Sequence, residues 1–280
     1  MMNFVHVFSG PSDALVLACG IVDSERDRDG RIWTSDSKFV NSGESFAMVA
    51  KSPVPEIDML IPYRSSRIFK SEVTYLFPVK PDTRYWLRLH FFPNIYGDFD
   101  TTHSYFSLSV NGIILLKNFS ASITCQAFSQ AYLIREYSLA PLNSEILVLI
   151  FKPVDGSFAF INGIEVVQMP DLFDSAKRVG STERIDVKRY HSQTMYRLNV
   201  GGQYISPSKD SGLTRRWNDD SPFIRGAAFG RVDYAGGEIK IQYEGVPEYV
   251  APAEVYSSSR SMGSSKKVTM GFNLTWIFQV

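Results

Sequence analysis

The chain has 280 residues, enough for one large or two medium domains that each bury a core. Lys+Arg and Asp+Glu both number 29, so the formal charge is zero and no general electrostatic footprint for nucleic acid or an anionic membrane is offered. Aromatic residues reach 14%, with 20 Phe and 14 Tyr in runs rich in Val, Ile and Thr, a composition that favours sheets.

The apolar start, Met1 to Phe8, lacks Lys and Arg and is broken by Ser9-Gly10-Pro11-Ser12-Asp13, so it gives no clean targeting signal. Nowhere do about 18 consecutive apolar residues occur, and no spanning helix is expected in this chain. Strands are expected at 14–20, 72–79, 84–93, 104–110, 113–119, 132–139, 145–153 and 158–167. Within the third, Tyr85, Leu87, Leu89 and Phe91 share one face while Arg88 and His90 fall on the other, as in a half-buried strand. Asn111-Gly112, between "SLSV" and "IILL", supplies the two positive-φ residues of a tight hairpin turn. No segment shows sustained helical periodicity with caps. The expected fold is all-β, a sandwich.

An internal echo divides the chain. "LVLACG" (15–20) resembles "YRLNVGG" (196–202), and "DGRIWTSDSKF" (29–39) resembles "TRRWNDDSPF" (214–223), with Trp33 matching Trp217 and Asp36 matching Asp220. "YRSSRIF" (63–69) resembles "YSSSRSM" (256–262), and "YLFPV" (75–79) resembles "WIFQV" (276–280). The spacing grows along the chain, as loop insertions cause. The expected organisation is a poorly defined N-terminus at 1–12, a first domain at 13–170, a linker at 171–195 and a second domain at 196–280. The echo stops at Val280 inside an apolar run, so the second domain reads as C-terminally truncated and the chain as a fragment.

Candidate chemical sites are few. Gly201-Gly202 is followed by neither the Gly-Lys-Ser/Thr of a phosphate loop nor a dinucleotide glycine spacing. "ERDRDGRIWTSD" (25–36) places Glu25, Asp27, Asp29, Gly30, Ile32 and Asp36 at calcium-loop spacing. However, arginines interleave the acids, and position twelve is the shorter Asp. His6, His90, His103 and His191 show no metal-ligand spacing, and no serine sits in a nucleophile elbow. Asp219 and Asp220, adjacent on a strand, point to opposite faces. No catalytic residue, metal site or cofactor is expected, and no enzyme. Two sequons, Asn118-Phe119-Ser120 and Asn273-Leu274-Thr275, are glycosylation candidates. Cys19 and Cys125 either pair once, which requires secretion, or are buried thiols. In "YGDFDTTHSYF" (96–106), Tyr96, Asp98, Phe99, Asp100 and His103 combine rings and polar groups in a way that suits a sugar face, against the alternative that Tyr105 and Phe106 begin the next strand.

The segments at 196–230, "LLKNFSAS" (115–122), "FAFINGIEVVQMPDLF" (158–173) and "YVAPAEVYSSSRSMG" (249–263) resemble the tandem malectin-like ectodomain of plant Catharanthus-type receptor-like kinases, the FERONIA, ANXUR and THESEUS group. The resemblance implies two malectin-like β-sandwich domains on the extracellular side of the plasma membrane, followed in the family by a membrane span and a kinase absent from this chain. It further implies recognition of pectin-like cell-wall polysaccharide, or of a rapid-alkalinisation-factor peptide with a lipid-anchored co-receptor, the peptide contacts lying largely in the second domain. A stand-alone lectin-like carbohydrate binder and a nonfunctional truncated gene product are the alternatives.

Overall fold

The computed structural model describes residues 14–51, 61–170, 172, 175–178, 180–225, 230–235, 241–262 and 273–279. The expected N-terminal segment at 1–12 lies outside them, as does Val280. The chain divides into two compact units, Asp13–Thr194 and Met195–Val280.

The first unit is a sandwich. One sheet has seven strands in the order β19 (Ser192–Thr194), β13 (Leu133–Leu139), β8 (Arg84–Phe91), β16 (Gly163–Met169), β1 (Leu15–Ala18), β3 (Ile32–Ser35) and β2 (Glu25–Arg26). The other has five, β12 (Ile113–Phe119), β11 (Phe106–Val110), β14 (Ile146–Pro153), β7 (Val73–Pro78) and β4 (Val40–Ser42). A smaller sheet of β15 (Ala159–Ile161), β6 (Ser65–Phe69) and β5 (Ser45–Val49) accompanies them, with the short pairs β9 (Ile95–Tyr96)/β10 (Phe99–Asp100) and β17 (Ala176–Lys177)/β18 (Arg184–Ile185). Every strand expected from the sequence is present, with 158–167 divided in two at Asn162. Residues 192–194, expected within a linker, instead extend the seven-stranded sheet by pairing with Glu136–Ser138.

Period-two patterning builds the core. Leu87, Leu89 and Phe91 of β8 face inward with Phe106, Leu108, Val110, Leu149 and Phe151 of the opposing sheet. Phe91 meets Phe106 at 5.9 Å and Phe119 at 5.5 Å between ring centroids, distances at which aromatic pairs add to simple burial. Asn111 and Gly112 take φ of 46° and 82°, and Val110 pairs with Ile113 across them, as the two-residue turn requires. One helix was not legible. α1 (Ala121–Ala127) is only seven residues long, too short to show a hydrophobic period, and Ser120 Oγ caps it by accepting the Ile123 N–H.

In the second unit the described strands pair two by two: β20 (Leu198–Asn199) with β21 (Asn218–Asp219), β22 (Ile224–Arg225) with β25 (Thr275–Trp276), and β23 (Arg231–Tyr234) with β24 (Ser258–Ser261). A short helix, α2 (Ala253–Tyr256), precedes β24.

Candidate functional site

The loop expected to face sugar is divided by the structure. Tyr96 is fully buried; its hydroxyl donates to the Phe92 carbonyl at 2.8 Å and accepts from Asn162 Nδ2 at 2.7 Å. Its strand bridges Ala50, which turns the ring inward, so Tyr96 is a core residue and not a ligand contact. Gly97 at φ 60° makes the β9–β10 turn, leaving Asp98 exposed and paired with Lys51 at 3.4 Å. Phe99 is half-buried. It stacks on Phe46 at 6.2 Å and meets Phe158 edge-on at 5.2 Å. Lys70 Nζ lies 5.3 Å from the Phe46 ring and 5.2 Å from the Phe99 ring. Asp100 accepts the N–H and hydroxyl of Thr102; these bonds, with the nearby His103, lower its pKa. His103 is exposed beside Thr102. Phe106 begins the next strand in the core, as the alternative reading had it, whereas Tyr105 stands just before the strand and is only half-buried. Phe46 of β5 and Lys70 just after β6, which the sequence analysis did not single out, reach this surface, a juxtaposition no local pattern announces.

The outward face of the seven-stranded sheet carries a closed ion network. Arg88 donates to Glu136 at 2.7 Å and to Glu165 at 3.1 Å; Arg31 reaches Glu165 at 3.2 Å. His90 Nε2 lies 2.8 Å from Glu165, and its Nδ1 3.1 Å from the Tyr63 hydroxyl. Burial pushes the Glu165 pKa up, but Arg31, Arg88 and His90 outweigh it and hold the carboxyl well below the usual range. Apart from the part-buried Arg31 these groups are buried, and they satisfy one another, so the network braces the sheet.

The internal echo is real in three dimensions. Asp36 accepts the Gly20 N–H at 3.2 Å, Arg67 Nε at 2.6 Å and the Tyr75 hydroxyl at 2.7 Å. Asp220 accepts the Gly201 N–H at 2.9 Å, Arg260 Nε at 2.6 Å and the Trp276 indole N–H at 2.8 Å. A second set repeats beside it. Asp27 takes Arg31 and the Trp33 indole, while Asp210 takes Arg215 and the Trp217 indole. Even the parallel pairings correspond, Leu17 with Thr34 and Leu198 with Asn218. Trp217 is therefore an anchor, and the Gly201-Gly202 stretch is architecture. The calcium-like loop does not converge, because Asp27 and Asp36 serve these separate clusters while Glu25 pairs with Arg64. Asp219 turns the other way from Asp220 and accepts from Ser221.

Cys19 and Cys125 are separate buried thiols, and the alternative of a disulfide is not realised. Cys19 lies beside Asp36, Arg67 and Tyr75, and burial raises its pKa, with Asp36 adding to the rise; Cys125 sits on α1 near Arg135, and burial pushes it to about 11. Asn118 and Asn273 are both exposed. In the second unit β23, β24 and the end of α2 line a groove of ≈ 420 Å³ that includes Arg231, Tyr234 and Tyr256.

The malectin-like domain family matches residues 17–279. The chain belongs to the malectin-like family. This malectin-like chain is 44% identical over 286 residues to receptor-like protein kinase ANXUR1 of Arabidopsis thaliana, covering 100% of this chain and 34% of that protein. It is 41% identical over 287 residues to the Arabidopsis thaliana receptor-like protein kinase FERONIA, covering 96% and 31%. It thus spans about a third of the length of the curated relatives it matches, and no kinase region is matched. The crystal structure of the ANX1 ectodomain from Arabidopsis thaliana superimposes with a TM-score of 0.92 at 44% identity, covering 96% of this chain and 71% of that one. The crystal structure of plant peptide RALF23 in complex with FER and LLG2 contains a chain that matches with a TM-score of 0.86 at 40% identity, covering 97% and 71%. The malectin-like chain is thus homologous to the extracellular domains of receptor kinases.

Proposed function

We propose that this chain is the ligand-recognition portion of a plant cell-wall-sensing receptor-like kinase. On this reading it stands on the extracellular side of the plasma membrane and binds a secreted peptide, a pectin-like polysaccharide, or both. The observation that carries the reading is the match to the FER chain captured with RALF23 and LLG2, supported by the ANX1 ectodomain likeness over nearly the whole chain. On this reading the chain acts by binding, and the buried Arg88 pairs with Glu136 and Glu165 as bracing of the sheet. Among the described residues no helix is long and apolar enough to cross a membrane.

A polysaccharide arm has its own support in the first unit. The stacked Phe46 and Phe99 rings offer a C–H-binding face, and Lys70 and Lys51 offer cations to an acidic sugar. Titration of the full chain against a RALF23 peptide with and without LLG2, and against oligogalacturonides, tests the proposal. Saturable binding in either series supports it. Failure in both removes the recognition reading, and sugar binding without any peptide binding favours a lectin-like module.

A further inference from the structure

β19 (Ser192–Thr194) is the outermost strand on its side of the seven-stranded sheet, and it docks with little apolar surface. It reads Ser-Gln-Thr, and Ser192 and Gln193 are exposed. Ahead of it lies a single 3₁₀ turn, Val187–Arg189, in which no residue is buried. An edge segment that buries so little is held by its polar contacts, and it opens locally when they fail.

Those contacts begin with Arg84 of β8. Its Nη1 donates to the Val187 carbonyl at 2.9 Å and the Lys188 carbonyl at 2.7 Å. Its Nη2 donates to the Tyr190 carbonyl at 3.3 Å and to Ser138 Oγ at 2.6 Å. The guanidinium keeps its charge throughout the working range of pH. The residue after this clasp is His191, half-buried, whose Nδ1 accepts the Ala140 N–H at 3.2 Å just beyond β13. Ser192, Gln193 and Thr194 then pair with Ser138, Tyr137 and Glu136, and Thr194 Oγ1 donates to Glu136 at 2.7 Å.

An accepting Nδ1 belongs to a neutral ring that carries its proton on Nε2; a second proton makes both nitrogens donors. The Ala140 N–H would then face another N–H, with a new cation beside Arg84. Burial and the Arg84 charge both lower the His191 pKa accordingly. The carboxylates on the adjoining elements are engaged elsewhere, Glu136 with Arg88 at 2.7 Å and Asp186 with Arg189 at 3.1 Å. Lys188 adds a further cation on the segment itself, and Arg135 of β13 lies 6.0 Å from the Phe119 ring.

We propose that residues 187–194 form a pH-released strap, docked on the edge of the seven-stranded sheet while His191 is neutral and loosened when it takes a proton. A base whose pKa falls on docking stabilises the docked state fully above its free value, near about 6.5, and less as the pH drops below it. The chain that leads into the second unit at Met195 is thus tied down at neutral pH and loose in acid. Arg84 supplies the pH-independent part of the clasp, and His191 is the switch.

Hydrogen exchange of the full chain, read by mass from about pH 8 to about pH 5 and corrected for intrinsic rates, tests this. The amides of Ala140 and of 192–194 are expected to lose protection below about pH 6.5, by about tenfold for each unit that docking lowers the His191 pKa. The amides of β8 and β16 are expected to keep theirs, which marks a local opening. His191→Asn, which offers a non-titrating amide oxygen in place of Nδ1, is expected to stay docked at every pH. His191→Arg, a permanent cation, is expected to be open at every pH. Equal protection of 192–194 in acid and at neutral pH overturns the proposal, as does a pH dependence that survives in His191→Asn. No ligand enters the measurement, so its outcome is separate from that of the recognition reading.

Discussion

In the first unit Asp36 collects a glycine N–H, an arginine and a tyrosine; in the second Asp220 collects a glycine N–H, an arginine and a tryptophan. The surroundings differ. Tyr75 is fully buried, stacked 5.7 Å from Phe77 and edge-on to Phe69, inside the core between the two sheets. Trp276 is half-buried, and the neighbouring aromatic group of Tyr196, Phe223 and Phe278 leaves Phe278 exposed. The same polar cluster is therefore made inside a two-sheet core and, in the second unit, where the described strands pair two by two. Its geometry comes from local charge and turn requirements, while the core decides how costly it is to break.

That contrast predicts a graded response. Arg67→Ala leaves Asp36 buried without its cation and is expected to destabilise the first unit by about 3–5 kcal/mol. Arg260→Ala makes the same deletion beside the half-buried Trp276, where fewer buried rings surround the cluster, and about 1–3 kcal/mol is expected. Denaturant unfolding of both variants checks the order, and equal losses would break the comparison. Gly20→Ala and Gly201→Ala test what the units share. Both glycines have positive φ, 85° and 75°, and in each an added Cβ would meet a serine carbonyl at 2.5 Å. Each substitution is expected to cost more than about 1 kcal/mol, and by similar amounts in thermal scans.

Acid titration sharpens the comparison further. The Glu165, Asp210 and Asp220 pKa values all lie below their ordinary values. In each case burial acts upward and is outweighed by arginine partners, with backbone N–H donors assisting both aspartates. A carboxyl lowered by folding stabilises fully above its unfolded pKa, near about 4, and that stability is lost as the pH falls through the folded value. Both units should therefore hold their stability down to about pH 5 and lose it below about pH 4. Loss already at neutral pH would contradict these pairings. The smallest effect concerns the thiols. Cys19 and Cys125 should both resist alkylation in the native state and both react after unfolding without reductant, as mass spectrometry would show; a chain that needs reductant first would restore the disulfide.

Much of this was legible in the sequence. Alternation along 85–91 identified a strand with one charged face, and the Asn111-Gly112 turn could be placed because few residues accept positive φ twice in a row. The matched Trp33/Trp217 and Asp36/Asp220 positions marked the repeat, while the hydrogen bonds those aspartates make, to arginines distant in the chain, came only with the fold. The candidate surface was less legible. Tyr96 looked like an exposed ring because its neighbours are polar, yet the bridge to Ala50 turns it inward. Phe46 and Lys70 lie far from Phe99 in the chain, so only the fold brings them together. The ion network around Glu165 escaped for the same reason, being assembled from strands β8, β13 and β16 and from Arg31 just before β3.

The most direct test of the recognition account is a calorimetric titration of the full chain and of residues 13–194, side by side, with oligogalacturonides. The account predicts saturable binding by both, weakened by Phe99→Ala with the folding transition unchanged. Binding that is absent from both, or that is indifferent to Phe99, would contradict the placement of a sugar-recognising surface on the first unit.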